Sequence, residues 1–110
     1  MAQLIFYLFF LWTFSVNSEE PLVVGMELSY PPFETIDKEG KPVGISVDIA
    51  YALGEYLNRP VKIENVPFIG LIPSLKSGKI DAIISSMSPT PQREKAIAFS
   101  KPYLDRKSVV

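Results

Sequence analysis

Apolar and polar positions change their spacing repeatedly along this chain, and each change marks the boundary of an element. Leu22-Val23-Val24-Gly25-Met26 is a short continuous apolar run after Pro21, Val61 to Val66 alternates, and Ile80-Asp81-Ala82-Ile83-Ile84 is again nearly all apolar. These three segments read as strands. Between the first two, Ile49, Ala50, Leu53 and Leu57 fall at helical spacing within Ser46–Asn58, with Ser46 placed to cap and Asp48 in the positive first turn. The helix should stop at Asn58-Arg59-Pro60, because the residue before a proline avoids the helical region. Between the second and third strands, Ile69, Ile72 and Leu75 share one helical face, Lys76 sits near the negative end and Gly78 terminates. Pro73 fits this short helix if it lies in the first turn. Tyr30-Pro31-Pro32-Phe33 and Lys38-Glu39-Gly40-Lys41 mark turns, the second closing a small hairpin from Glu34-Thr35 to Pro42-Val43.

Strand, helix, strand, helix, strand implies parallel pairing through right-handed crossovers, so the fold class is α/β. With the second strand on one side of the first and the third on the other, the order is 2-1-3. Open sheets of this kind bind ligands outside the carboxyl ends of the strands, where the chain reverses direction beside strand one. The loops that meet there are 27–33, 67–68 and 85–93.

The first eighteen residues follow a different pattern. They carry no charged side chain and include an apolar run of about 11 residues from Leu4 to Phe14, the length of a secretory signal core and too short for the roughly 20 apolar residues of a membrane span. Val16-Asn17-Ser18 offers a small-residue cleavage site before Glu19. The expected division is therefore a signal peptide, 1–18, and a folded unit, 19–110. The absence of Lys and Arg from Met1-Ala2-Gln3 departs from the usual signal pattern and leaves an uncleaved anchor or a buried N-terminal helix as the alternative.

Composition narrows the chemistry. At 110 residues the chain has room for one domain, and a net charge of −1 with 21% charged residues gives no basic footprint for nucleic acid. It contains no histidine and no cysteine, which removes imidazole acid–base chemistry, thiol nucleophiles, disulfides and ordinary zinc sites. No metal site or cofactor is expected.

Four stretches, taken together, resemble a known family. They are Gly25 to Phe33, Gly40 to Ile49, Leu71 to Asp81, and Ser88-Pro89-Thr90-Pro91-Gln92-Arg93 followed by Phe99-Ser100-Lys101-Pro102-Tyr103. In this order and spacing they resemble the bacterial extracellular solute-binding proteins, family 3, which serve polar amino acids. The resemblance implies a three-layer α/β/α lobe of the type II periplasmic-binding-protein-like fold. It further implies a two-lobed clamp that takes up an amino acid in the periplasm or outside the cell and delivers it to an ABC permease. This chain covers the first lobe only, and the resemblance implies a truncated clamp whose second lobe would meet the ligand's ammonium group. Isolated, such a lobe is expected to bind at millimolar strength or worse.

The resemblance also assigns site residues. Arg93 matches the arginine that grips the ligand carboxylate through two parallel hydrogen bonds. Ser85, Ser86 and Ser88 match positions that give hydroxyl or backbone contacts, and Tyr30 and Phe68 match aromatics that sandwich the ligand's aliphatic part. Glu27 stands where the family often has aspartate near the ligand's side chain; an acid there suits a cationic ligand, yet also occurs in binders of uncharged amino acids, where it serves the loop. Without the resemblance, Ser85 to Ser88 reads as a turn, Arg93 as a solvated helix residue and the aromatics as rim packing. Asp48 and Asp81 belong to a helix start and a strand start. No nucleophile–base constellation is present, so binding without catalysis is expected. The alternatives are a ligand-sensing lobe of a receptor or sensor kinase, or a fragment of a periplasmic dehydratase or transglycosylase.

Overall fold

The computed structural model describes residues 20–104, so the expected signal peptide and the tail 105–110 lie outside the described residues. β1 (Leu22–Met26) is central in a three-stranded parallel sheet, flanked by β4 (Val61–Asn65) and β5 (Ala82–Ile83) in the order β4-β1-β5. That is the 2-1-3 order of an α/β open sheet. β2 (Thr35–Ile36) and β3 (Pro42–Val43) form the antiparallel hairpin, whose turn is tied by Asp37 Oδ1 accepting from the N–H groups of Glu39 and Lys41.

Alternation along β1 assigns the two helices to opposite faces. Leu22, Val24 and Met26 point into a buried cluster with Leu28, Val47 and Ala50, the last two from α1 (Ile45–Tyr56). On the other face, the bare backbone of Gly25 lets Ile80 and Leu71 of α2 (Phe68–Lys76) press against the sheet; a Cβ there would sit 2.5 Å from Ile80 Cδ1. Large side chains at both 25 and 71 would not fit one layer.

Several local expectations need correction. α1 starts at Ile45, one residue ahead of Ser46, and Ser46 is buried rather than capping. Carbonyls from the Pro-Pro-Phe turn do the capping instead: Ile45 N–H donates to Pro32 O and Ser46 N–H to Phe33 O at 2.7 Å. This satisfies donors that a helix start otherwise leaves unpaired. The buried stripe of α1 is Val47, Ala50 and Gly54, with Leu53 half-buried and Leu57 exposed. The helix ends because Asn58 adopts the left-handed conformation, φ 56°, with Arg59 N–H closing back on Gly54 O.

α2 buries Leu71 completely, while Ile69 is 89% exposed, so the apolar face is rotated from the one expected. Pro73 lies in the second turn, not the first; it forfeits a bond to the Ile69 carbonyl, which is on the solvent-facing side. β5 is shorter than Ile80–Ile84, and at its start Asp81 Oδ2 accepts the Val23 N–H at 2.9 Å, a side chain standing in for a ladder acceptor. At the opposite end of the sheet from the ligand-side loops, Arg59 clasps the entering chain, its Nε donating to Glu20 O and its second guanidinium nitrogen to Pro21 O.

Candidate functional site

Parallel pairing sends the carboxyl ends of β1, β4 and β5 to one edge, and the loops beyond them enclose a pocket of about 220 Å³. Glu27, Ser29, Tyr30 and Glu34 line it from the β1 side, Phe68 from the start of α2, and Ser85 and Ser86 from the end of β5. Five of the seven expected residues therefore share one concavity. Arg93 does not line it, but its guanidinium carbon lies 5.4 Å from the centre of the Phe68 ring, a cation–π contact at the pocket's border. Arg93 faces an adjoining open concavity of about 740 Å³ with Ile72, Thr90, Pro91, Gln92 and Ala96. Ser88 lines neither; its carbonyl accepts from Arg93 Nη1 at 2.8 Å and steers the guanidinium.

The hydroxyls of the Ser85-Ser86 pair are already at work within the lobe. Ser85 is buried, and its Oγ accepts the Glu27 N–H at 2.9 Å, joining the ends of β1 and β5. Ser86 sits in the left-handed region at φ 55°, a conformation that costs a non-glycine residue about 1–2 kcal/mol, and donates its hydroxyl to Glu34 Oε2 at 3.2 Å. α3 (Pro91–Glu94) follows, capped by Thr90 Oγ1, which accepts the Arg93 N–H at 3.1 Å, with Pro91 at the first helical position.

Tyr30 is 56% exposed and stacks on Phe33, the rings 5.4 Å apart and 19° from parallel, so one face of the phenol remains open toward the pocket. Glu27 is more engaged than its sequence position suggests. Its Oε2 accepts the Phe68 N–H at 2.6 Å, capping α2, and its Oε1 accepts the Ser29 hydroxyl at 3.1 Å. The carboxylate thus stands at the positive end of a helix.

Glu34 is the pocket residue that sequence reasoning missed. It is 1% exposed, and a carboxylate directly after a Pro-Pro-Phe turn reads as a solvated hairpin residue. Only the closure of the loop buries it, through Tyr30 N–H to Glu34 O at 2.7 Å and Glu34 N–H to Tyr30 O at 3.0 Å. Tyr103 approaches the same region. Burial first, and the Glu34 charge second, raise its phenol above the usual value.

An open parallel sheet with a small polar and aromatic pocket at its switch point defines a small-molecule-binding lobe. The chain belongs to the bacterial extracellular solute-binding proteins, family 3, whose profile matches residues 22–110. It is similar to the ABC transporter arginine-binding protein 1 of Escherichia coli, 39% identical over 90% of this chain and 41% of that protein. The chain thus spans about two-fifths of this curated relative. Among solved structures it resembles an ancestral arginine-binding protein bound to arginine, with a TM-score of 0.76 and 41% identity over 80% of this chain and 39% of the other. It also resembles the arginine-bound form of domain 1 from TmArgBP, the T. maritima protein, at 48% identity and a TM-score of 0.75 over 76% of this chain and 67% of that one.

Proposed function

We propose that residues 19–110 form the first lobe of an extracytoplasmic clamp that holds a cationic amino acid of the arginine type for an ABC permease, following an export signal at 1–18. The lobe acts without catalysis. The observation that carries the reading is the pairing of opposite charges across one aromatic residue: Glu27 and Glu34 line the pocket on one side of Phe68, and the Arg93 guanidinium rests on the ring. A zwitterion with a long cationic side chain matches that dipole, its carboxylate toward Arg93 and its cation toward Glu34, since the oxygens of Glu27 are engaged by the Phe68 N–H and the Ser29 hydroxyl. Tyr30 and Phe68 take the aliphatic stem, while Ser85, Ser86 and Ser88 hold the frame or donate. The relatives named for arginine favour the same class of ligand. A periplasmic or secreted location follows from the export signal; among the described residues no helix is long and apolar enough to cross a membrane.

An NMR titration of the purified chain with L-arginine, L-lysine, L-glutamine and L-glutamate tests the reading. Arginine should produce saturable shifts at the amides of 27–30, 68 and 85–93. Arg93→Ala should weaken binding at least about tenfold, since a charge-assisted hydrogen bond contributes about 1.5–3 kcal/mol. Equal affinity in wild type and Arg93→Ala, or a preference for glutamate, would refute the proposal.

A further inference from the structure

Glu27 looks like the counter-charge for a cationic ligand, yet its oxygens are committed elsewhere. One receives the first N–H of α2 at 2.6 Å and the other the Ser29 hydroxyl, while the Glu27 backbone N–H is held by Ser85. The Phe68 ring fixed by that N–H bond carries the Arg93 guanidinium, which is held from its far side by the Ser88 carbonyl. We propose that Glu27 is a positioning residue: by holding the Phe68 backbone it sets the ring, and through the ring the direction of Arg93, so that it governs affinity for the amino-acid carboxylate rather than choice of side chain.

The physical basis is the way a contact with a carboxylate can propagate. Arg93 has a long, rotamer-rich side chain whose ordering opposes binding if it is done only when the ligand arrives. A guanidinium already resting on a fixed ring pays part of that cost before ligand arrives, which is preorganisation. The ring is fixed only as well as its backbone, and the Phe68 N–H belongs to a helix start that has no capping side chain at Pro67. Glu27 supplies that cap from the neighbouring strand. The extra methylene of glutamate over aspartate suits the span from the end of β1 to the start of α2. Glu27 therefore touches all three loops at the mouth of the sheet: its backbone N–H is held by Ser85 at the end of β5, while its carboxylate holds Phe68 and, through the ring, reaches Arg93 of α3.

The ligand arm of the test rests on the function proposed above; the spectroscopic arm does not. With the purified chain, affinities for arginine and for glutamine are compared in wild type, Glu27→Ala and Glu27→Gln by NMR titration, with circular dichroism confirming the fold. Positioning requires Glu27→Ala to weaken both ligands in parallel, at least about tenfold. Glu27→Gln keeps a carbonyl acceptor and should restore glutamine to within about threefold of wild type. Without ligand, the Phe68 amide proton should lie downfield in wild type and move upfield in Glu27→Ala, and the Arg93 Nε–H should lose its ring-current shift. A loss confined to arginine, or Phe68 and Arg93 resonances unmoved by Glu27→Ala, would overturn the proposal. If neither ligand binds wild type while both resonances shift as stated, the positioning role stands and the ligand class is wrong.

Discussion

Tyr103 shows how far a single side chain reports its surroundings. Its phenol is raised chiefly by burial and secondarily by Glu34, so the folded chain holds that proton more tightly than the unfolded chain. The sign follows from linkage: the contribution to stability is fully present below the ordinary tyrosine value of about 10 and declines as pH rises through the folded value. Ultraviolet absorbance of wild type minus Tyr103→Phe should titrate above that ordinary value. Glu34→Gln should bring the midpoint down only part of the way, because burial is the larger cause; an unchanged midpoint would place Glu34 outside its reach. Glu34 itself was illegible in the sequence. A carboxylate is buried only when paired or hydrogen-bonded, and its partner Ser86 lies 52 positions away. Arg93 was legible only through the family resemblance, whereas its resting place on Phe68 depends on tertiary packing.

At the level of elements, the period of the apolar positions located β1, β4, β5, α1 and α2, and turn residues located the β2–β3 hairpin, while the starts of α1 and β5 meet atoms distant in sequence. α1 is capped by carbonyls of 32 and 33, and at the start of β5 the carboxylate of Asp81 accepts the Val23 N–H. Ile69 misled because a nine-residue helix offers too few turns to fix the phase of its buried stripe, and the fully enclosed Leu71 defines it instead. Gly54 makes a sharper point about α1. In an exposed helix, alanine in place of glycine stabilises by about 1 kcal/mol. Here the added methyl would run into Val61 and lie 2.8 Å from the Arg59 carbonyl, and backbone cannot step aside cheaply. Gly54→Ala should therefore lower stability by about 1–3 kcal/mol in urea unfolding. A gain would mean that the α1–β4 contact is looser than the structure has it.

For the whole molecule, the proposed function makes this chain one wall of a clamp, whose closure would add contacts from a second body and exclude water; the chain covers 41% of its Escherichia coli relative. The isolated chain should bind arginine with a dissociation constant of about 1 mM or weaker, equivalent to about 4 kcal/mol; calorimetry giving micromolar affinity would show that the lobe suffices. The arginine-bound domain 1 from TmArgBP shows that a single domain of a relative can hold this ligand at all. Exposed Tyr30 and Ile69 beside the mouth should also make sedimentation concentration-dependent, and a monomer at all concentrations would show that they are tolerated singly. The Arg59 clasp on Glu20 and Pro21 has a practical corollary for such measurements. It pins the start of β1 at the base of the sheet, one strand length from the mouth. A sensor chip or bead coupled ahead of Glu20 would thus hold the lobe by its floor and leave its opening facing the bulk solution, whereas coupling beyond Tyr103 would crowd the entrance.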